Sequence, residues 1–262
     1  MKRLTKIITF IMTVCLVCVF IKKDINANTI TGVMSGNAYK DGKYMYYCVH
    51  GGGTRDGLNR INLKTGHNEV LIRNDMSDSH WDNGFYNITV KGKNIYAIRN
   101  LNTGTSGDSD LQYIYRISKD GKKQKRLACG FNCIIIGNRI YYEKWKEEKF
   151  VWSSMKLDGS DKRNEENTAL QIKYSALDIY DLRVVDSDKY TYKLYKKKLE
   201  RIKNNTRKIF YKAPKGYEIH SVDVSGDAAL ITLYSTDYSR CKAYIVNGKG
   251  KKFFLRQWMA AE

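Results

Sequence analysis

The chain has 262 residues, 46 Lys plus Arg against 27 Asp plus Glu, 20 Tyr, 20 Gly and one Pro, a length that suits one large domain or two small ones. At 42% hydrophobic residues it can build a core. The aromatic and β-branched bias tells against a helical fold, and the regular Asp-Gly, Thr-Gly, Gly-Asn and Asn-Asn punctuation predicts strands joined by tight turns.

The first 27 residues stand apart. Lys2, Arg3 and Lys6 precede a charge-free run from Ile7 to Ile21, and Ile25-Asn26-Ala27 offers a small residue for cleavage. Fifteen residues suit the hydrophobic region of a signal peptide and fall short of the roughly 17–25 that a spanning helix needs. Residues 1–27 are therefore expected to be a signal peptide and 28–262 a single domain, secreted or at the cell surface. Lys22 and Lys23 directly after the run keep an uncleaved membrane anchor, with the domain facing outside, as the alternative. Cys15 and Cys18 each follow Val, which tells against lipid attachment. Without residues 1–27 the chain carries 41 basic and 26 acidic side chains, a net charge of +15. Four cysteines remain, Cys48, Cys129, Cys133 and Cys241, and export makes disulfides possible without choosing among their three full pairings.

Along the chain one pattern recurs. A turn precedes a Tyr-rich or apolar strand at Asp41-Gly42, Gly92, Gly137, Ser187-Asp188 and Gly226, at intervals of 50, 45, about 50 and about 39 residues. Each such strand is followed by another that ends in a hairpin: Lys64-Thr65-Gly66, Asp120-Gly121, Asp158-Gly159, Asn204-Asn205 and Asn247 to Gly250. An outer strand comes next, at His67–Ile72, Lys122–Leu127, Lys162–Asn164, Arg207–Tyr211 and Lys251–Leu255. The innermost strands are expected near Val33-Met34, Ile88–Val90, Ile134–Ile136, Leu182–Val185 and Val222–Val224. A four-stranded unit cannot bury both faces of its sheet alone, and radial stacking solves that problem. The expected fold is therefore an all-β propeller of five four-stranded blades. In the fourth unit no loop is evident between the second and third strands, and Ala169 to Leu182 finds no place.

The residues Gly92-Lys93-Asn94-Ile95-Tyr96, Tyr113-Ile114-Tyr115-Arg116-Ile117, Asp120-Gly121, Arg126-Leu127 and Gly137-Asn138-Arg139-Ile140-Tyr141-Tyr142 carry a resemblance. They resemble the propeller-like domain of unknown function in exported proteins of Gram-positive bacteria, related to the YWTD propellers of low-density-lipoprotein receptors. The likeness covers residues 36–165 and, more loosely, 180–256. It implies a fold and an exported address, and no reaction.

No catalytic constellation emerges. His50, His67, His80 and His220 lack metal-site spacing, and neither Asp108-Ser109-Asp110 nor Asp75 to Asp82 has the alternation of a calcium loop. Gly51-Gly52-Gly53 has no helix after it to cradle a phosphate. A propeller glycosidase would need paired carboxylates in the channel. Only Asp223 lies inside the innermost tracts, with Asp181 and Asp186 flanking one. The expectation is a non-catalytic binding or scaffold module without cofactor, with an extracellular glycosidase or a purely structural envelope protein as alternatives. The basic tracts Lys122 to Arg126, Lys196-Lys197-Lys198 and Lys249 to Lys252 fit an anionic cell-wall polymer or lipid head groups. Another envelope protein is the further candidate; nucleic acid is not expected, and the chain should be a monomer. Because strands alternate in direction, the tight hairpins share one face and longer loops the other. The opposite face is expected to bind, through His50, Arg55, His80, Trp81 and Trp145, and to carry all four cysteines.

Overall fold

The computed structural model describes residues 29–49, 57–74, 84–101, 111–165, 168–178, 184–187 and 189–260. Every regular element among them is a strand. The first sheet is a meander of β2 (Ala38–Asp41), β3 (Tyr44–Tyr47), β4 (Leu58–Asn62) and β5 (Asn68–Ile72), after an N-terminal strand β1 (Thr29–Met34) that stands outside it. The second is β6 (Phe85–Lys91), β7 (Asn94–Leu101), β8 (Leu111–Ser118) and β9 (Gln124–Cys129). The third is β10 (Phe131–Ile136), β11 (Arg139–Lys146), β12 (Lys149–Lys156) and β13 (Arg163–Asn164). After β14 (Ala169–Tyr174) and β15 (Ala176–Asp178) come the fourth, β16 (Val184–Asp186), β17 (Thr191–Tyr195), β18 (Lys198–Lys203) and β19 (Thr206–Lys212), and the fifth, β20 (Tyr217–Ser225), β21 (Ala228–Ser235), β22 (Arg240–Val246) and β23 (Lys252–Met259).

The turns explain why these segments pair locally. Asp41 pairs with Tyr44, Lys91 with Asn94, Ile136 with Arg139 and Ser225 with Ala228, so the first hairpins of the first, second, third and fifth sheets have two-residue loops. Gly42, Gly92, Gly137 and Gly226 open those loops at φ of 57–60°, and the residue after each has a negative φ. That is the type II′ turn, whose backbone matches the twist of the strands it joins. The second hairpins use side chains. Asn62 Oδ1 accepts from the Lys64 N–H, Asp120 Oδ1 from Lys122, Asp158 Oδ1 from Ser160, and Asn247 Oδ1 from Lys249, each replacing a missing ladder bond.

The sheets close into a ring through their first strands, directly or by way of β1, β14 and β15. β2 lies between β6 and β20, and β6 also meets β10. A hydrophobic cluster fills each of these junctions. Tyr46, Leu58 and Ile72 meet Phe85, Ile88 and Ile95 between the first and second sheets. Tyr96, Ile98 and Ile114 meet Cys133, Ile140 and Met155 between the second and third. Tyr192, Leu194 and Leu199 meet Val222, Ile231 and Leu233 between the fourth and fifth, and Leu230, Ala243 and Ile245 meet Met45 and Ile61 between the fifth and first. Full burial of one such aliphatic or aromatic side chain contributes about 1.5–3 kcal/mol, so these junctions hold the sheets together.

Backbone-directed contacts add direction. Gly121, at φ 75°, brings the second sheet's outer hairpin against the outer strand of the first, and a methyl group there would sit 2.5 Å from the Leu71 carbonyl oxygen. The same hairpin of the first sheet rests on Phe253 of the fifth, and that of the third rests on Leu127 of the second. Asn247 Nδ2 donates to the Leu63 carbonyl at 2.8 Å across the fifth-to-first junction.

Three expectations need correction. Val33-Met34 is not the innermost strand of the first unit; Ala38–Asp41 takes that place, joined to Tyr44–Tyr47 by the two-residue Gly42 turn. β1 pairs instead in parallel with β14, from Thr29 opposite Ala169 to Met34 opposite Tyr174. The segment left without a place, Ala169 to Leu182, thus supplies β14, and then β15, which adds to the axial edge of β20 as Ala176 opposite Asp223. This two-stranded ribbon makes six sheets in all. It sits between the third and fourth sheets: β1 lies along β10, with Gly32 against Ile134 and Ile136, and β14 meets β16. Met34, Ile134 and Tyr141, with Leu170 and Ile172, form its core on the third-sheet side. Among the described residues no comparable cluster joins the ribbon to the fourth sheet. Finally, the third sheet's connection between second and third strands is not long: β11–β12 turns at Glu147-Glu148. β17–β18 turns at Lys196-Lys197, in keeping with the absence of an evident loop there.

Candidate functional site

A cavity of about 580 Å³ occupies the ring's axis at the end where the hairpins lie. β1 supplies Thr31, β2 supplies Lys40, β6 supplies Thr89 and β10 supplies Ile135 and Ile136, while Ser175, Lys189 and Ser225 come from the ribbon's end and the last two meanders. The wall is rich in hydroxyl groups, and most already serve the ring. Ser35 Oγ and Thr89 Oγ1 share a 2.5 Å bond between ribbon and second sheet. Ser175 Oγ donates to the Met34 carbonyl and accepts from the Gly36 N–H. Ser225 Oγ accepts from the Lys40 N–H at 2.9 Å, which leaves its own proton available to a ligand. Ser187 Oγ and Tyr192 OH both reach the Gly226 carbonyl, at 2.9 and 3.1 Å.

The charge at this mouth is positive. Asp227, in the fifth sheet's first turn, pairs with Lys40 at 3.3 Å, while Lys189 adds a further exposed cation. Around the mouth the first turns present Lys43 and Lys93, and the second turns present Lys64, Lys122, Lys123, Lys249 and Lys251, all exposed. The acids interspersed with them are committed locally. Asp41 meets Lys119, and Asp120 and Asp158 cap their own turns through bonds that hold both carboxyls below the usual carboxylate range. Asp161 accepts from Arg163 and Arg139 at 2.7 and 2.8 Å, which brings its carboxyl down to about 2. Of the three dense basic tracts, Lys122 to Arg126 and Lys249 to Lys252 run into this face, whereas Lys196-Lys197-Lys198 turns on the opposite one.

His50, Arg55, His80 and Trp81 lie outside the described residues, as do Gly51 to Gly53, Asp75 to Asp82 and Asp108 to Asp110. Trp145 stands at the loop-face end of β11, 58% exposed and edge-on to Phe150 at 4.8 Å; Phe150 in turn meets Phe131 at 5.4 Å. The four cysteines sit at the strand ends away from the hairpins, none of them in a disulfide, Cys129 exposed and Cys48, Cys133 and Cys241 buried. Burial pushes the Cys133 thiol up to about 12 and raises that of Cys241. Asp223 is 4% exposed and accepts from the Asn37 N–H at 2.8 Å. Asp223 and Asp227 line different cavities, toward opposite ends of β20. Pattern reasoning missed the channel mouth because its residues come from six sheets with no shared spacing; the Lys after Gly42 and Gly92 and the Ser before Gly226 were the available signal.

No protein-family model matches the sequence, and no curated protein matches it. Among solved structures the chain is similar to one in a nidogen/laminin complex, at 13% identity over 87% of this chain and 79% of that one, with a TM-score of 0.33. It is similar to TolB from Acinetobacter baumannii at 13% identity, over 90% of this chain and 54% of that one, with a TM-score of 0.35. A puromycin-hydrolyzing peptidase from Mycobacterium tuberculosis matches at 10% identity, over 85% and 45% of the two chains, with a TM-score of 0.40. These likenesses are loose, and the ring architecture rests on the strand pairing and junctions described above. Among the described residues no helix is long and apolar enough to cross a membrane, and no group of three His, Cys, Asp or Glu is placed to hold a metal ion.

Proposed function

We propose that the chain is an exported five-bladed propeller, its ring completed by the β1–β14 ribbon, that binds an anionic polymer of the cell envelope through its hairpin face. The observation that carries this reading is the distribution of charge: exposed lysines on the turns of four of the five sheets surround a hydroxyl-lined mouth, while the neighbouring carboxylates are tied to partners. Clustered cations of this kind raise the local concentration of a polyanion and bind it through release of its counterions. Affinity for a soluble polyanion such as dextran sulfate should fall steeply as salt rises. Reversing Lys64, Lys122 and Lys251 to Glu should flatten that slope, and reversing Lys196 and Lys197 on the opposite face should not. A salt-independent affinity, or equal effects from both sets, would overturn the reading.

The exposed aromatic cluster of Trp145, Phe150 and Phe131 favours a second reading, a scaffold that holds another envelope protein through the loop face. His50, Arg55, His80 and Trp81 are proposed to belong to that surface. Under this reading Trp145→Ala weakens capture of the partner while polyanion binding is kept.

A further inference from the structure

The β1–β14 ribbon is a two-stranded sheet among sheets of four and five strands. β1 lies along β10, the strand of the third sheet nearest the axis. β14 takes the next place outward, where Leu170 and Ile172 share a cluster with Tyr141 of β11 and Trp152 of β12. An edge strand presents a row of N–H and C=O groups ready to pair with another chain. β14 pairs with β1 alone, and among the described residues no strand meets its outward edge, where the neighbouring sheets have two strands more. The walls of this gap are apolar. Tyr141 packs on the ribbon, so Trp145, on the same face of β11, and Phe150 opposite it are turned the same way. Tyr192 and Leu194 pack toward the fifth sheet, so Lys193, its partners Val184 and Glu200, and Ile209 opposite Glu200 face the ribbon. Trp145, Phe150, Val184 and Ile209 are 55–61% exposed, and Val33 and Tyr174 of the ribbon are 45% exposed. These are six of the nine large apolar side chains exposed among the described residues. Apolar surface gathered in one place marks an interaction site.

We propose that the gap takes an extended segment of a partner protein, paired as a third strand on β14, with apolar and acidic side chains in alternation. A strand satisfies the open edge, whereas a helix bonds its own backbone and leaves that edge as it was. Successive side chains of a strand point to opposite faces, and here the two faces meet unlike walls. The third-sheet wall is aromatic, with Phe150 and Trp152, and accepts the apolar set. The fourth-sheet wall is cationic. Lys193, Lys198 and Arg207 stand on it around Ile209, and Lys173 of β14, opposite Val33, is exposed beside it. Glu200 is the one acid of β17–β19, and it is already held by Lys198 at 2.6 Å and by the Tyr195 hydroxyl at 3.2 Å. Lys173, Lys193 and Arg207 are thus in excess on this side, and the partner's second set of side chains is acidic. The gap is distinct from the lysine-bearing turns of the hairpin face, and its proposal stands apart from polyanion binding.

The test selects a phage-displayed library of random octapeptides on the full chain, then measures the enriched peptides by fluorescence anisotropy and hydrogen exchange. Enriched sequences should alternate apolar with acidic residues. Their binding should slow exchange of the β14 amides and leave those of β7 and β21 unchanged. Ile209→Glu, at an exposed position, should weaken the enriched peptide about tenfold or more, through lost apolar contact and added repulsion. Lys173→Glu should weaken it as well, while reversal of Lys64, Lys122 and Lys251 on the hairpin face should not. Thermal unfolding of each variant separates lost binding from lost fold. No enrichment, enriched sequences of another pattern, unchanged exchange in β14, or a loss of affinity only on hairpin-face reversal would overturn the proposal. So would protection of β14 in a dimer of the chain alone, which would give the edge to a second copy.

Discussion

Asp161 accepts from Arg139 and Arg163 at once, with Lys156 at 3.8 Å, and ties the end of the third sheet's second hairpin back to the start of β11. Its carboxyl, at about 2, titrates below the usual 3.8, so the folded state holds that proton less tightly than the unfolded chain does. The stability it contributes is complete above the unfolded value and is lost as pH falls from about 4 toward about 2. Asp237, held at about 2 by the Ser235 and Ser239 hydroxyls and the Ser239 N–H, acts in the same window. Asp161→Asn should therefore lower the melting temperature at pH 6 and make little difference at pH 2; equal losses at both would show that charge plays no part. The cysteines make a second residue-scale test. Iodoacetamide should label Cys129 in the native protein and reach Cys48, Cys133 and Cys241 only after unfolding, as peptide mass spectrometry would show.

Two of the short connections share one geometry and differ in chemistry. Asn204 and Asn205 turn with φ of 47° and 62°, Glu147 and Glu148 with 49° and 61°. Both are type I′ turns, which asparagine tolerates and glutamate does not, and two adjacent like charges add to the cost. Replacing Glu147-Glu148 with Asn-Gly should raise the stability of the protein by about 1–2 kcal/mol, read as a higher denaturant midpoint; an unchanged midpoint would mean the turn carries no strain. The same contrast explains what could be read without coordinates. Glycine before Lys, Asn or Asp between two apolar runs has one economical backbone solution, so the first hairpins and nearly all the meander strands were legible. The Glu147-Glu148 turn left no turn signal in the sequence because its residues contradict its conformation. β1 read as a first-blade strand because a parallel partner 140 positions away leaves no local trace. The channel mouth was invisible for the same reason, being assembled from distant segments. The basic tracts were plain, but only the strand order assigns two of them to the hairpin face and Lys196–Lys198 to the other.

Across the whole ring, the junction between ribbon and fourth sheet is the thin one. Val33, Tyr174 and Val184 remain about half exposed there, while the other junctions bury their apolar residues almost fully. Local opening should begin at this seam. Hydrogen exchange should be faster for the amides of β1 and β14 than for those of β7, β8 and β21, which lie inside paired sheets; equal protection would show that the seam is as firm as the rest. The parallel pairing of β1 with β14 also sets an order of assembly. During synthesis the first three meanders can each form as soon as their residues emerge, because every contact within them is local. β1 leaves the ribosome first and still has no partner until Tyr174 follows, so its Val33 and Met34 travel unpaired through most of the chain's production. The cost of closing so long a loop falls at the end, which predicts slow, late ring closure and a partly assembled chain that is prone to associate with its own kind. If the chain is exported unfolded, that vulnerable interval falls outside the membrane, where the strand nearest the N-terminus arrives first and waits.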